Sequence, residues 1–162
     1  RPGEHEPVRD VVAEAGERLE QHPHVLARLV RPRPEHVGLV AEAEREIVTL
    51  SLDEVRAAMD DPDTVIVDIR DVRELWREGK IPGALHSPRG MNEFWIDPSC
   101  EYHKPVYASG KRFVLYCAGA WRSALEAKMF QDMGLTKVAH MGGGFTAWKA
   151  AGMPVEAVER KS

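Results

Sequence analysis

The stretch "FVLYCAGAWRSALEAKMFQDMG", Phe113–Gly134, decides the fold. Its apolar opening reads as a strand buried on both faces. The strand ends at Cys117, and the loop Ala118-Gly119-Ala120-Trp121 leads to Arg122. Ser123 to Met133 has the make-up of a helix packed along one side, with Gly134 as its C-cap. A strand that feeds a helix through so short a loop belongs to an open α/β sheet, where reactive groups collect at the carboxyl ends of strands. Cys117 sits at such an end. On residue pattern alone two readings stand: a cysteine buried as a small hydrophobe, or a nucleophile held above a ring of backbone amides.

Outward from this unit the chain alternates strand and helix. Upstream, "IVTL" from Ile47 is apolar and rich in β-branched residues. Ser51 and Glu54 have the spacing of a capping box, predicting a helix over Leu52 to Met59. "TVIVD", ending at Asp68, predicts a second buried strand, and "DVRELWREG" a short helix that stops at Gly79. Pro82 keeps Ile81 out of the helical region, so "IPGALH" reads as extended. Residues 88–111 show no clean period and predict loop with short helical turns. "KVAHM" is the next strand, "GGG" (Gly142 to Gly144) a turn that needs positive φ, and "FTAWKAAG" the closing helix. Strands separated by helices imply a parallel sheet with right-handed crossovers. Trp148, Ala147, Ala150 and Ala151 read as the helix face packed on it.

The 162 residues suit one domain with an appendage. Residues 1–45 are rich in Glu, Arg, Pro and His. Val8, Val11, Val12, Ala15 and Leu19 predict one helix there, and Val25, Leu26, Leu29 and Val30 a second. They read as a helical extension ahead of a domain over 46–158, since they supply too few large side chains for a core. A net charge of -4 gives no global field for nucleic acid, and Arg28, Arg31 and Arg33, interrupted by Pro32 and Pro34, read as a solvated linker. No run of about 20 apolar residues would cross a bilayer, and the first ten residues lack an apolar signal segment. Two cysteines, Cys100 and Cys117, build no disulfide framework, and a reducing cytoplasm is the expected setting.

As chemistry, the cysteine loop is an anion cradle. A thiol reacts as its thiolate, which is favoured beside cations and helix N-termini. If residues 118–122 wrap the sulfur, their N–H groups converge on it and the helix dipole adds positive potential. Gly119 and the two alanines permit a tight curve, and Arg122 supplies a planar cation. Ser123 can cap the helix or hydrogen-bond to the sulfur.

From about Ile47 to Val155 the sequence resembles a single rhodanese-like domain. Four ordered segments carry the match: "VIVDIRDVREL", "GKIPGALHSP", "VLYCAGAWRSALEAKMFQDMG" and "MGGGFTAWKAAGMPV". The resemblance implies a three-layer α/β/α fold with a mostly parallel central sheet. It implies a sulfurtransferase in which Cys117 takes sulfane sulfur from a donor such as thiosulfate. The persulfide so formed passes its sulfur to a thiophilic acceptor, either cyanide or a thiol, including a protein thiol. Ala118, Gly119, Ala120, Trp121 and Arg122 would form the cradle with Ser123, and a carboxylate would anchor Arg122. Asp68 and Arg70 match the family's Asp-x-Arg motif in a supporting role, Asp68 as a buried partner for a loop cation. No cofactor or metal is implied, nor a nucleic-acid or membrane partner; the oligomeric state is open.

Two positions depart from the family pattern. Lys80 replaces its usual His, on an expected surface turn. Trp121 is bulkier than its usual counterparts: it could wall the pocket, stack on a partner, or pack on the loop around Phe94 and Trp95. Cys100 reads as a spectator thiol, and His103 and His140 as surface or hydrogen-bonded histidines rather than metal ligands. The family's phosphatase relatives have five residues between Cys and Arg, against four here, and a wider ring suits a phosphate. The rival from another class is a non-catalytic interaction module on the same fold.

Overall fold

The computed structural model describes residues 35–160. The helices expected from Val8 to Leu19 and from Val25 to Val30 lie outside them. The compact unit begins at Val37, ahead of the break expected at residue 45. Its elements in order are α1 (His36–Glu46), β1 (Val48–Leu50), α2 (Leu52–Ala58), β2 (Thr64–Asp68) and α3 (Val72–Glu78). Then come β3 (Leu85–His86), α4 (Asn92–Ile96), β4 (Arg112–Tyr116), α5 (Trp121–Asp132), β5 (Val138–Met141) and α6 (Gly144–Ala150). Single 3-10 turns at Arg89–Met91 and Pro105–Ala108 flank α4 within the stretch expected to be irregular.

Local chemistry accounts for most boundaries. Ser51 caps α2 through the expected capping box with Glu54, and Asp71 and Glu74 form a second one at the start of α3. Gly79, at φ 78°, ends α3. The helix α5 starts two residues earlier than expected, at Trp121, because Ala120 takes the left-handed conformation (φ 70°) and serves as its N-cap. Ser123 is therefore not the cap. The unexpected helix α1 buries Val40 and Ala43. Its sequence, HVGLVAEAERE, carries so few large apolar residues that neighbouring packing, not periodicity, holds it.

All five strands run parallel in the order β1-β5-β4-β2-β3. Alternation along the central strand divides the core. Phe113, Leu115 and Cys117 face α5 with Ala124, Ala127 and Phe130, and Val40 of α1 joins the same cluster. Val114 and Tyr116 face the other way, toward Val55 of α2 and Phe145 and Trp148 of α6. Helices thus cover both faces, which the apolar strands require. Tyr107, Phe113 and Phe130 meet with ring centroids 5.2 to 6.3 Å apart, so truncating Phe130 would cost about 3–5 kcal/mol. No helix among the described residues is long and apolar enough to cross a membrane.

Candidate active site

Parallel pairing brings the carboxyl ends of β2 and β4 side by side, with Asp68 in register with Tyr116. Cys117 follows at once, 1% exposed, beneath its own loop. The loop is held from outside. The amide of Phe145 donates to the Cys117 carbonyl at 2.8 Å, and that of Thr146 to the Ala118 carbonyl at 3.0 Å. Every peptide here is trans, so each clamped carbonyl turns the following N–H, of Ala118 and of Gly119, to the opposite side. The amides of Ala118, Gly119 and Ala120 donate to no protein acceptor among the described residues. The approach is so close that a Cβ on Gly144, itself at φ 67°, would lie 2.4 Å from the Ala118 oxygen. The positive φ expected of the glycine run is present at Gly143 and Gly144.

Arg122 lies on the first turn of α5, and both of its terminal nitrogens donate to Glu74 of α3 at 2.8 Å. This pairing raises the Arg122 pKa, with smaller help from Cys117, and holds the Glu74 carboxyl below its ordinary range. Asp68 has a different partner from the one expected. It takes three hydrogen bonds from Arg70 side-chain nitrogens at 2.7 to 3.2 Å, and a fourth from the Tyr116 hydroxyl at 2.6 Å. Arg70 also donates to the Gly79 carbonyl at 2.7 Å, and its guanidinium carbon lies 4.0 Å above the Phe145 ring. Asp68 and Arg70 are fully buried. Their pair braces the end of β2 against α6, the helix that clamps the loop, rather than holding the loop cation.

Ser123 Oγ lies 3.6 Å from the Cys117 sulfur, 3.2 Å from His140 Nδ1 and 3.0 Å from the Ala120 carbonyl oxygen. His140 is fully buried, with both ring nitrogens within hydrogen-bond distance of a hydroxyl: Ser123 on one side, Thr49 on the other at 2.9 Å. Burial lowers its pKa to about 4. Trp121 is half exposed and, with Val37, Val40, Ala41 and Glu44, lines a cavity of about 170 Å³ beside α1. Lys80 pairs with Glu156 near the surface, 3.8 Å apart, and donates to the Ala84 carbonyl. Among the described residues no three His, Cys, Asp or Glu side chains gather as metal ligands.

The structure thus brings Cys117, the loop 118–122 and Ser123 together. It adds Glu74, His140 and the α6 amides, which sequence reading missed. The D-x-x-E spacing of Asp71 and Glu74 could have flagged a capping box; nothing local links Glu74 to Arg122.

The family model of the rhodanese-like domain matches residues 51–151. The tRNA uridine(34) hydroxylase of Pectobacterium carotovorum subsp. carotovorum (strain PC1) is 32% identical over 111 residues, covering 66% of this chain and 30% of the relative. The chain thus spans about a third of the length of the curated relatives it first matches. Among solved structures, the Rhodopseudomonas palustris protein RPA3614, described as a possible tyrosine phosphatase, superimposes with a TM-score of 0.74 at 50% identity. That match covers 78% of this chain and 97% of the other. Thiosulfate sulfurtransferase from Pseudomonas aeruginosa gives 0.62 at 26% identity over 78% of this chain and 23% of its own. A match that runs from α2 through α6 and takes in four of the five strands leaves one conclusion: the chain belongs to the rhodanese-like domain family.

Proposed function

We propose that this domain is a sulfurtransferase whose Cys117 carries sulfane sulfur as a persulfide. One observation carries the reading: α6 clamps the carbonyls of Cys117 and Ala118, which leaves the next two amides on the opposite side of the loop, without a protein acceptor among the described residues and available to an anion on sulfur. A ring of N–H groups with Arg122 at its end stabilises negative charge on sulfur, whether thiolate or the outer atom of a persulfide. The Cys117 thiolate attacks the outer sulfur of a donor such as thiosulfate; the donor S–S bond breaks and sulfite leaves with the electron pair. A thiophilic acceptor, cyanide or a thiol, then attacks the outer persulfide sulfur, and the thiolate returns. The sulfur stays covalently on the protein between the two halves, and the pair of free cysteines suits a reducing compartment.

The name of RPA3614 invites a phosphatase reading of the same loop. Four residues separate Cys117 from Arg122, and a ring this short favours one sulfur atom over the several oxygens of a phosphate. The tRNA-directed activity named for the Pectobacterium relative belongs to a protein of which 30% is matched here.

Exposure to thiosulfate should add one sulfur atom to the peptide holding Cys117, read by mass spectrometry. Cyanide should remove it, and Cys117→Ser should abolish both the gain and thiosulfate:cyanide turnover while leaving the fold intact. A protein that gains no sulfur and turns over neither thiosulfate nor a phosphate ester would be an interaction module instead. Hydrolysis of phosphate esters above background, lost in Cys117→Ser, would favour the phosphatase.

A further inference from the structure

His140 is out of place among its neighbours. The other residues of β5, Val138, Ala139 and Met141, are apolar, and all four are buried. Burying an imidazole is unfavourable unless its nitrogens find partners, and both do. From the Cys117 sulfur the contacts run to Ser123 Oγ (3.6 Å), to His140 Nδ1 (3.2 Å), and from His140 Nε2 to Thr49 Oγ1 (2.9 Å). Thr49 stands in register with His140 on the edge strand β1 and is exposed. The chain of polar atoms therefore begins at a thiol closed off from solvent and ends at water. Ring building in the cysteine loop requires none of it.

We infer that Ser123, His140 and Thr49 form a neutral proton relay for Cys117, with His140 as the positioning residue that sets the direction of the Ser123 hydroxyl. With the thiol present, S–H donates to Ser123, Ser123 to Nδ1, and Nε2–H to Thr49. On ionisation the sulfur proton passes to Ser123 Oγ and the serine's own proton to Nδ1. The Nε2 proton passes to Thr49, which releases one to water or a buffer base. Each link ends with as many protons as it began, and the sulfur keeps the electron pair. Ser123 now donates to the anionic sulfur, and the imidazole has changed tautomer without ever being charged. The Ala120 carbonyl competes for the serine proton, but it already accepts from Ala124, and an anion is the stronger acceptor.

The charged groups around the relay are few. Arg122 of α5 stands beside the sulfur, held by Glu74 of α3. Asp68 and Arg70 bond to each other and Asp68 to Tyr116, which faces the opposite side of the sheet. Glu126, further along α5, bonds to Asn92 and Arg89. Burial alone accounts for the lowered basicity of His140, which keeps the ring neutral at neutral pH.

The test is nitrogen NMR of the histidine rings in the full chain, with His140 assigned by loss of its signals in His140→Gln. Across the thiol titration, followed by ultraviolet thiolate absorbance, His140 should change from the Nε2–H to the Nδ1–H tautomer with the same midpoint. In Ser123→Ala it should stop following the sulfur, and Thr49→Val, at the exposed edge, should slow sulfur loading about tenfold. A tautomer that stays fixed through the thiol titration, or that still follows it in Ser123→Ala, would overturn the relay. The inference rests on Cys117 as the reactive thiol, yet the NMR arm needs no turnover. Coupling without sulfur gain would support the relay and sink the sulfurtransferase; sulfur gain with a fixed tautomer would sink the relay alone.

Discussion

Glu74 grips Arg122 with both carboxylate oxygens, each 2.8 Å from a guanidinium nitrogen, across 48 positions of sequence. The pair joins the helix after β2 to the helix after the cysteine loop, and so fixes where the loop closes. Glu74→Gln keeps the shape and removes the charge. It should lower kcat/KM for an anionic donor about tenfold, as the guanidinium loses its fixed direction. The stability loss should be smaller, about 1 kcal/mol, since Arg122 is more than one-third exposed and water screens the pair. Donor kinetics and urea denaturation separate the two effects.

Acid should weaken the fold in two stages. His140 has a folded pKa of about 4 against an ordinary 6.5, so on acidification the unfolded chain binds a proton before the folded one does. Stability should therefore decline as pH falls from about 6.5 to about 4, by roughly 3 kcal/mol in all, and level off below. Glu74 acts lower: its folded pKa lies beneath the ordinary 4.5, so its contribution is present above that value and is lost as pH falls through the folded one. Urea midpoints against pH should show both limbs. His140→Gln should flatten the upper limb and Glu74→Gln the lower.

Two glycines of the site should respond oppositely to alanine. At Gly144 a methyl would press on the Ala118 carbonyl and the Ala120 nitrogen, in a backbone conformation that side chains avoid. Gly144→Ala should cost about 2 kcal/mol or more and loosen the loop. At Gly119 nothing lies within 4 Å of the added carbon, so Gly119→Ala should leave stability within about 0.5 kcal/mol. Thermal melts of the two variants decide the matter.

Asp68→Ala would strand the Arg70 guanidinium in a fully buried site. Breaking a buried pair by removing one partner costs about 3–5 kcal/mol, and the hydroxyl of Tyr116 would lose its acceptor as well. The expected result is a sharply lower urea midpoint. A midpoint unchanged within error would show that the pair does not brace β2.

What the residues announced in advance was whatever they settle with near neighbours. Ser51 and Glu54 cap α2 within one turn, the run from Phe113 to Tyr116 alternates between two apolar faces, and Gly143 and Gly144 turn the chain. Cys117 was legible because strand and loop are contiguous. The remainder depends on distance in sequence. Thr49 and His140 are 91 positions apart, and Arg122 could be seen to need a carboxylate without its spacing naming Glu74. The start of α5 was misjudged because the left-handed Ala120 carries no side-chain signal, and α1 was missed because its weak apolar stripe reads as more of the polar extension.

The clamp on the cysteine loop also sets an order of events at the ribosome. A nascent chain emerges from its amino end, so Cys117 leaves the exit tunnel ahead of Phe145 and Thr146, whose amides orient its surroundings. Until α6 has been translated and docked, nothing holds the Cys117 and Ala118 carbonyls in place. The surroundings of the thiol are thus completed later than the thiol itself, only once α6 has joined the fold.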